Sequence, residues 1–427
     1  MKEKNIFLNE VDKPSILQFA LRILPKLILL AIRAILFVAL LPIYWLGWLI
    51  WYRPPNVPYL SQTLRYLKHA WTVSPENPKM PFFGRIWLSL SFLQVYLNSP
   101  LVGLAWLLDE LLYGRDLKEV TVKEPFFVIS AGRSGSTQIT RYIEEDERLV
   151  APNLLQSMFP YLWLWRLIPK TIGRFLEPDK VREMIQRTMP VELWERHEAD
   201  PFKADTFDGA FLSVHLNRFA LSLGPDVAKD DFNMALAAPH DKQLKEKVFV
   251  QFVDGIARKA IFHAGGDKRF YLKGHFLFGA QALHEFYPDA TFLTVTREPV
   301  SRLRSGINYM RVNPPDLVMG PVPWAWLSET LLHTESMYSK REQAWFTSES
   351  DARRCVIKFT DFVNDLEGSM KKVYLDFFVE DEVPAHLPKE HPPRERKHYT
   401  VNRSLEELGV DEAELKNSLR DYIEWCR

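Results

Sequence analysis

The sequence predicts an α/β protein, a three-layer domain with a central parallel sheet, preceded by an N-terminal membrane-associated helical region. Three observations carry this prediction. Short apolar runs rich in β-branched and aromatic residues alternate with stretches of helical periodicity between residues 126 and 305. One such run passes into a helix through a turn of small residues, Ala131-Gly-Arg-Ser-Gly-Ser136. Finally, Ala34 to Tyr52 is 19 residues without a charge, near the about 20 apolar residues that span a bilayer.

Taken in order, residues 1–53 are expected to form a basic amphipathic and transmembrane anchor. Arg22, Lys26 and Arg33 recur at helical spacing ahead of the uncharged run, a pattern suited to anionic headgroups. Tyr44, Trp45, Trp48, Trp51 and Tyr52 gather in its distal half, as interfacial aromatics do. The exit lacks the small-residue site of a cleaved signal peptide. Arg53-Pro-Pro-Asn-Val-Pro58 marks a boundary. Residues 54–121 then read as a helical connector, with a second uncharged run of 23 residues from Ile86 to Leu108. Asn98-Ser99-Pro100 interrupts it, which favours two packed or in-plane helices over a second crossing. Basic residues before Ala34 outnumber those soon after Tyr52, which favours a cytoplasmic N-terminus. A single crossing then puts the remainder of the chain in a lumen; a second crossing returns it to the cytosol.

Residues 122–427 are expected to form the catalytic domain. Phe126 to Ser130 reads as a buried strand, and Thr137 to Ile143 as a helix. A strand turning through small residues into a helix directs several N–H groups and the positive helix end at one point, which suits a phosphate. Aligned on Gly135, the loop departs from a Walker A motif at Ser130, where Gly is needed, and at Ser136, where Lys is needed. The loop is P-loop-like without the triphosphate lysine, and no acidic strand end offers itself to Mg²⁺. Further on, Phe270-Tyr-Leu-Lys273-Gly-His275 closes one apolar run, and Phe278 to Tyr287 has helical periodicity. Ala290 to Thr296 forms the next strand, ending at Arg297, and Pro299 opens the helix that carries Ser305. Cations at strand ends and a hydroxyl on the following helix face the carboxyl edge of such a sheet, where α/β proteins bind ligands. Arg302 and Arg304, flanking Ser305, read as an exposed helix face.

These residues resemble the sulfotransferases that use 3′-phosphoadenosine 5′-phosphosulfate (PAPS). Gly132-Arg-Ser-Gly-Ser-Thr137 is similar to their 5′-phosphosulfate loop. Arg297 followed eight positions later by Ser305 is similar to their 3′-phosphate motif, and Lys273-Gly-His275 to the Lys-x-His of the cytosolic branch. Leu107-Leu-Asp-Glu-Leu-Leu-Tyr113 and Val356-Ile-Lys-Phe-Thr-Asp361 are similar to the family's lead-in and late strand. The chain departs from the cytosolic branch at Arg133, where that branch has Lys. It also lacks an Arg-Lys-Gly segment near its C-terminus, for which Arg394-Glu-Arg-Lys-His398 is a loose basic substitute.

The resemblance implies PAPS as co-substrate and no metal. It assigns the backbone of Ser134, Gly135, Ser136 and Thr137 to the 5′-phosphate, with Arg133 and Lys273 neutralising the leaving group. His275 takes the acceptor's proton, and Arg297 and Ser305 hold the 3′-phosphate. A carboxylate such as Glu198, in Glu195-Arg-His-Glu-Ala-Asp200, is the rival base. Other function classes stay in view: a P-loop kinase or hydrolase, and a catalytically dead, membrane-anchored nucleotide-binding scaffold. Met158-Phe-Pro-Tyr-Leu-Trp-Leu-Trp-Arg166, with Trp324 and Trp326, suits an apolar acceptor site or a sugar-stacking one, so the acceptor is expected among small molecules, lipids and glycans. Lys plus Arg equals Asp plus Glu, 54 each, which leaves no net field for nucleic acid. Two cysteines exclude a disulfide framework, and Cys355 is expected as a buried thiol.

Overall fold

The computed structural model describes residues 16–72, 82–171, 177–187, 200–205, 247–312, 324–378, 387–392 and 402–427, with single positions or short pieces at 173, 211–229 and 384–385. The chain divides into two units. One comprises residues 1–115, 209–233 and 314–330; the other comprises 116–208, 234–313 and 331–427.

The first unit is helical. Helix α1 (Ile16–Ile50) is followed by α2 (Leu60–Trp71), α3 (Phe82–Leu97) and α4 (Ser99–Glu119), whose last residues enter the second unit. The uncharged run 86–108 is thus broken at Asn98, where the sequence places Asn-Ser-Pro. A 28-residue stretch of α1, Ile23–Ile50, is long and apolar enough to cross a membrane, and none of it is buried. Lys26 and Arg33 are not displayed outward. The Lys26 ammonium donates to Ser91 Oγ at 2.5 Å and lies 3.8 Å from the Trp87 ring centre, and Arg33 Nη1 donates to the Gln94 carbonyl at 3.3 Å. The amphipathic pattern read as a headgroup-facing surface therefore turns its charges toward α3.

The second unit is the α/β domain. Its strands are β1 (Phe126–Ile129), β2 (Leu149–Val150), β3 (Arg269–Gly274), β4 (Thr291–Thr296) and β5 (Arg353–Lys358), paired in the order β2-β3-β1-β4-β5. All four pairings are parallel. Buried on both faces, β1 is apolar at every position, as parallel strands covered by helices are. Alternation sends Phe126 and Val128 into one core with Ile139, Tyr271, Leu293 and Tyr374, while Phe127 stacks on Phe292 at 5.5 Å.

The connections are helical: α5 (Ser136–Ile143), α6 (Leu154–Met158), α7 (Leu162–Lys170), α8 (Pro178–Gln186), α9 (Ala220–Leu223, of the first unit) and α10 (Phe249–His263). After β3 a 3₁₀ turn (Leu277–Gly279) leads into α11 (Ala280–Phe286), where the sequence suggested one continuous helix. Then come α12 (Pro299–Val312), α13 (Trp324–Thr347), α14 (Phe359–Asn364), α15 (Leu366–Phe378), α16 (Glu412–Ser418) and α17 (Arg420–Cys426). Cys355 is buried in β5, and burial pushes its thiol well above the ordinary range.

Arg302 corrects a sequence expectation. It is buried, not part of an exposed helix face, and donates to Glu335 Oε1 at 2.6 Å, Ser339 Oγ at 2.7 Å and Tyr422 Oη at 2.9 Å, with Glu342 Oε2 at 3.3 Å. Tyr422 donates in turn to Glu342 at 2.6 Å. A buried guanidinium is tolerated when carboxylates and acceptors surround it, and here they tie α12, α13 and α17 together. Arg304 keeps the expected exposed position, donating to the Arg403 carbonyl at 3.2 Å.

Candidate phosphate-binding site at the carboxyl edge of the sheet

β1 ends at Ile129, and Ser130 fastens that end: its Oγ accepts from the Val295 N–H at 2.9 Å. The chain then turns through Ala131 to Gly135 into α5. Two residues of the turn occupy the left-handed region, Arg133 at φ +66° and Gly135 at φ +97°. At Gly135 the reason for glycine is also spatial, since a Cβ there would lie 2.9 Å from the Phe359 ring. Arg133 has no such freedom. A non-glycine residue held there stores on the order of 1–3 kcal/mol, a cost that concentrates at ligand-binding turns. Ser136 and Thr137 open α5, and the first N–H groups of a helix have no partner within it. Ser134 is fully buried, and its hydroxyl meets no hydrogen-bond partner among the described residues.

The other motif residues converge on this turn. Lys273, on β3 opposite Val128 of β1, is buried and donates to Thr137 Oγ1 at 2.7 Å. Half-buried His275 lies just beyond β3, its Nε2 3.2 Å from where a Cβ on Gly132 would stand. Glycine at 132 therefore leaves room for the imidazole beside the turn. Arg297, just past β4, donates from Nη1 to the Arg133 carbonyl at 2.8 Å and lies over the Phe359 ring at 4.3 Å. Burial, and then the neighbouring Arg133 guanidinium, draw the Arg297 pKa down. Two cations this close favour an anion between or beside them.

Arg133 takes a direction the sequence did not suggest. Its Nε donates to Ser305 Oγ at 3.0 Å, and its guanidinium lies 5.0 Å from the Tyr309 ring centre. The side chain of the turn thus reaches the helix carrying the second phosphate motif. Tyr309, one turn beyond Ser305, has its phenol pushed up to about 12 by burial, against the opposing pull of Arg133.

Asp205 is a further site residue that no spacing announced. Its Oδ1 accepts from Lys273 at 3.2 Å, with side chains 3% and 1% exposed respectively, and Arg141 Nη2 stands 3.9 Å from its Oδ2. Arg141 of α5 also donates to the Ala204 carbonyl at 2.6 Å, and an antiparallel bridge joins Asn153 to Ala204. Asp205 is the fifth residue after Asp200 in an acidic stretch whose earlier part, including Glu195 and Glu198, lies outside the described residues. Arg394 to His398 lie outside them too.

Of the aromatic segment after α5, Trp165 turns into the domain, 5.9 Å from the His263 ring, while Met158 and Phe159 stay 44% and 52% exposed. Trp326 is half-buried on α13 in the first unit.

The model of the Sulfotransferase family matches residues 125–380 of this chain. Two solved structures share its architecture. The sulfotransferase STF1 from Mycobacterium tuberculosis H37Rv superposes with a TM-score of 0.57 at 17% identity, covering 84% of this chain and 92% of that one. The sulfotransferase STF9 from Mycobacterium avium gives 0.57 at 16% identity, with 86% and 90% covered. No curated protein matches the sequence.

Proposed function

This chain belongs to the Sulfotransferase family, and from that premise we propose that it moves the sulfuryl group of PAPS to a hydroxyl or amine of a lipid-like or carbohydrate acceptor. The observation that carries the reading is the convergence of three separated motifs on one turn: Lys273 on Thr137, His275 beside Gly132, and Arg297 and Ser305 on Arg133.

In this reading the N–H groups at the start of α5 and the Ser134 hydroxyl bind the 5′-phosphate. Lys273, held by Asp205, faces the oxygen that leaves the sulfur. The acceptor oxygen forms a bond to sulfur while the bond from sulfur to the bridging oxygen breaks. His275 takes the acceptor's proton, and the electron pair of the broken bond leaves on the phosphate as 3′,5′-adenosine bisphosphate. Such a transfer asks the protein chiefly for positioning and charge stabilisation. Arg297 and Ser305 hold the 3′-phosphate. Arg133, given its bond to Ser305, belongs as much to that side as to the leaving group. Attachment to a membrane through α1 is proposed separately from this chemistry.

The test is ligand-induced thermal stabilisation across PAPS, 3′,5′-adenosine bisphosphate, ATP with magnesium, and AMP. A ligand at 100 times its dissociation constant adds about 2.7 kcal/mol. PAPS and the bisphosphate are expected to stabilise the protein, and ATP far less. The reverse order moves the assignment to a nucleoside triphosphatase or kinase. Binding without transfer to any alcohol, sterol, lipid or glycan moves it to a scaffold.

A further inference from the structure

Helix α1 runs in the same direction as the α3–α4 pair that it packs against. Its contacts ascend together along both: Lys26 with Ser91, Arg33 with Gln94, Phe37 with Tyr96 at 5.6 Å between ring centres, Tyr44 with Gly103, and Gly47 with Leu107. At the last two the approach is so close that a Cβ on Gly103 would stand 2.1 Å from the Tyr44 ring, and one on Gly47 2.8 Å from Leu107. The less exposed positions of α1 recur at spacings of three and four from Ile23 to Gly47, the seam of two helices packed side by side. Between Ile23 and Ile50 the positions outside that seam are apolar and open: Leu24, Ile28, Ile35, Val38, Leu46 and Leu49 are 54–72% exposed.

This direction conflicts with an ordinary crossing. Two neighbouring spans that point the same way need a connector that returns across the bilayer between them. Here the connector is residues 51–81. It carries α2, which runs antiparallel to α3, with the Tyr66 and Phe92 ring centres 5.5 Å apart and Trp71 Nε1 donating to Ser89 at 2.9 Å. It also carries exposed Arg53 and Lys68, and its stretch from Tyr52 to Tyr59 is not helical. Pro55 to Pro58 of that stretch are buried, but the exposed Arg53 and Lys68 side chains would stand in the hydrocarbon layer, where a charge is costly. At 35 residues α1 is about 52 Å long, well beyond the about 30 Å hydrocarbon thickness. With Lys26 and Arg33 turned onto α3, the outer face between Ile23 and Ile50 offers no charge to an aqueous partner among the described residues.

We propose that α1 lies in the plane of a phospholipid bilayer, its outer face in the acyl boundary of one leaflet and α3–α4 covering it from the aqueous side, so that both ends of α1 stay on the same side of the membrane. This is independent of the sulfotransferase reading.

The test is sidedness in the full-length protein. Lys13→Cys and Arg53→Cys variants, expressed in bacteria, are labelled with a membrane-impermeant maleimide in spheroplasts before and after permeabilisation. The native Cys355 and Cys426 are buried, so the parent chain is the blank. An in-plane helix gives both positions the same behaviour, and labelling of one with protection of the other overturns the proposal. A second arm is flotation of purified protein with vesicles of phosphatidylcholine and phosphatidylglycerol. The triple variant Ile35→Glu/Val38→Glu/Leu46→Glu is expected to lose at least tenfold in vesicle-bound fraction while keeping its thermal transition. A parent chain that stays off the vesicles as a soluble dimer also overturns it, assigning the face to a second copy.

Discussion

Lys273 stands between Thr137 and Asp205, one contact to the turn and one to a buried carboxylate, whereas His275 two residues on faces the turn beside Gly132. Neighbours in sequence, the two are expected to fail differently. His275→Ala should leave PAPS affinity nearly unchanged and lower transfer by about 10²-fold or more, read by single-turnover kinetics at saturating PAPS. Lys273→Ala should impair both binding and turnover, because it removes a cation from the leaving oxygen and takes from buried Asp205 the ammonium that donates to its Oδ1. Retained turnover in His275→Ala shifts the base to a carboxylate. At the other end of the site, Arg297→Ala should cost about 1.5–3 kcal/mol of affinity for 3′,5′-adenosine bisphosphate, at least tenfold, with little change for AMP. Calorimetric titration of the two nucleotides checks it. Equal binding of both by the intact protein would remove the 3′-phosphate assignment.

Helix α12 carries Ser305 and Tyr309 toward the turn and Arg302 into the interior, so one element serves both site and core. Arg302→Ala should destabilise by about 3–5 kcal/mol, since it leaves Glu335 and Glu342 buried without their cation. Arg304→Ala, on the exposed side, should stay within about 0.5 kcal/mol. Denaturant unfolding distinguishes them. In the helical unit, His215 is fully buried beside Phe211 and Tyr59, and neither ring nitrogen meets a partner among the described residues. Burial lowers its pKa to about 3. The unfolded chain takes up a proton near pH 6.5 that the folded one refuses until about pH 3, so the unfolded state binds more protons between them. Stability from this group is therefore complete above pH 6.5 and falls as pH drops, by at most about 1.4 kcal/mol per pH unit. His215→Phe should flatten that part of the pH dependence; an unchanged slope would place the acid sensitivity elsewhere.

On the scale of the whole chain, residues 209–233 and 314–330 cluster with the N-terminal helices although they are inserted between parts of the α/β unit. A cut at residue 115 therefore removes the helices against which two internal segments fold. A chain lacking residues 1–115 is expected to aggregate or lose its cooperative transition. One lacking only residues 1–55 should leave the membrane in flotation assays while exposing the faces of Gly103 and Leu107 that Tyr44 and Gly47 cover. Size-exclusion chromatography of both chains without detergent checks the difference.

The α/β class, the strand ends at Ser130, His275 and Arg297, and the small-residue turn were legible in the sequence because each is a local signal. A buried strand needs a run of apolar residues, a turn at φ +97° needs Gly135, and Asn98-Ser-Pro marks where an uncharged run passes from one helix to the next. The extension of α11 by a 3₁₀ turn shifted a boundary without changing the order of elements. Only the tertiary structure joined Lys273 to Asp205, 68 positions away, sent Arg133 across 172 positions to Ser305, and buried Arg302 among acidic residues of α13. Only it turned Lys26 and Arg33 inward and set α1 parallel to α3 and α4. Periodicity reports which face of an element is apolar, but it carries no information about which distant partner meets that face or in which direction the partner runs. Those choices are made when the elements pack, by the charges that must be neutralised and the volumes that must interlock.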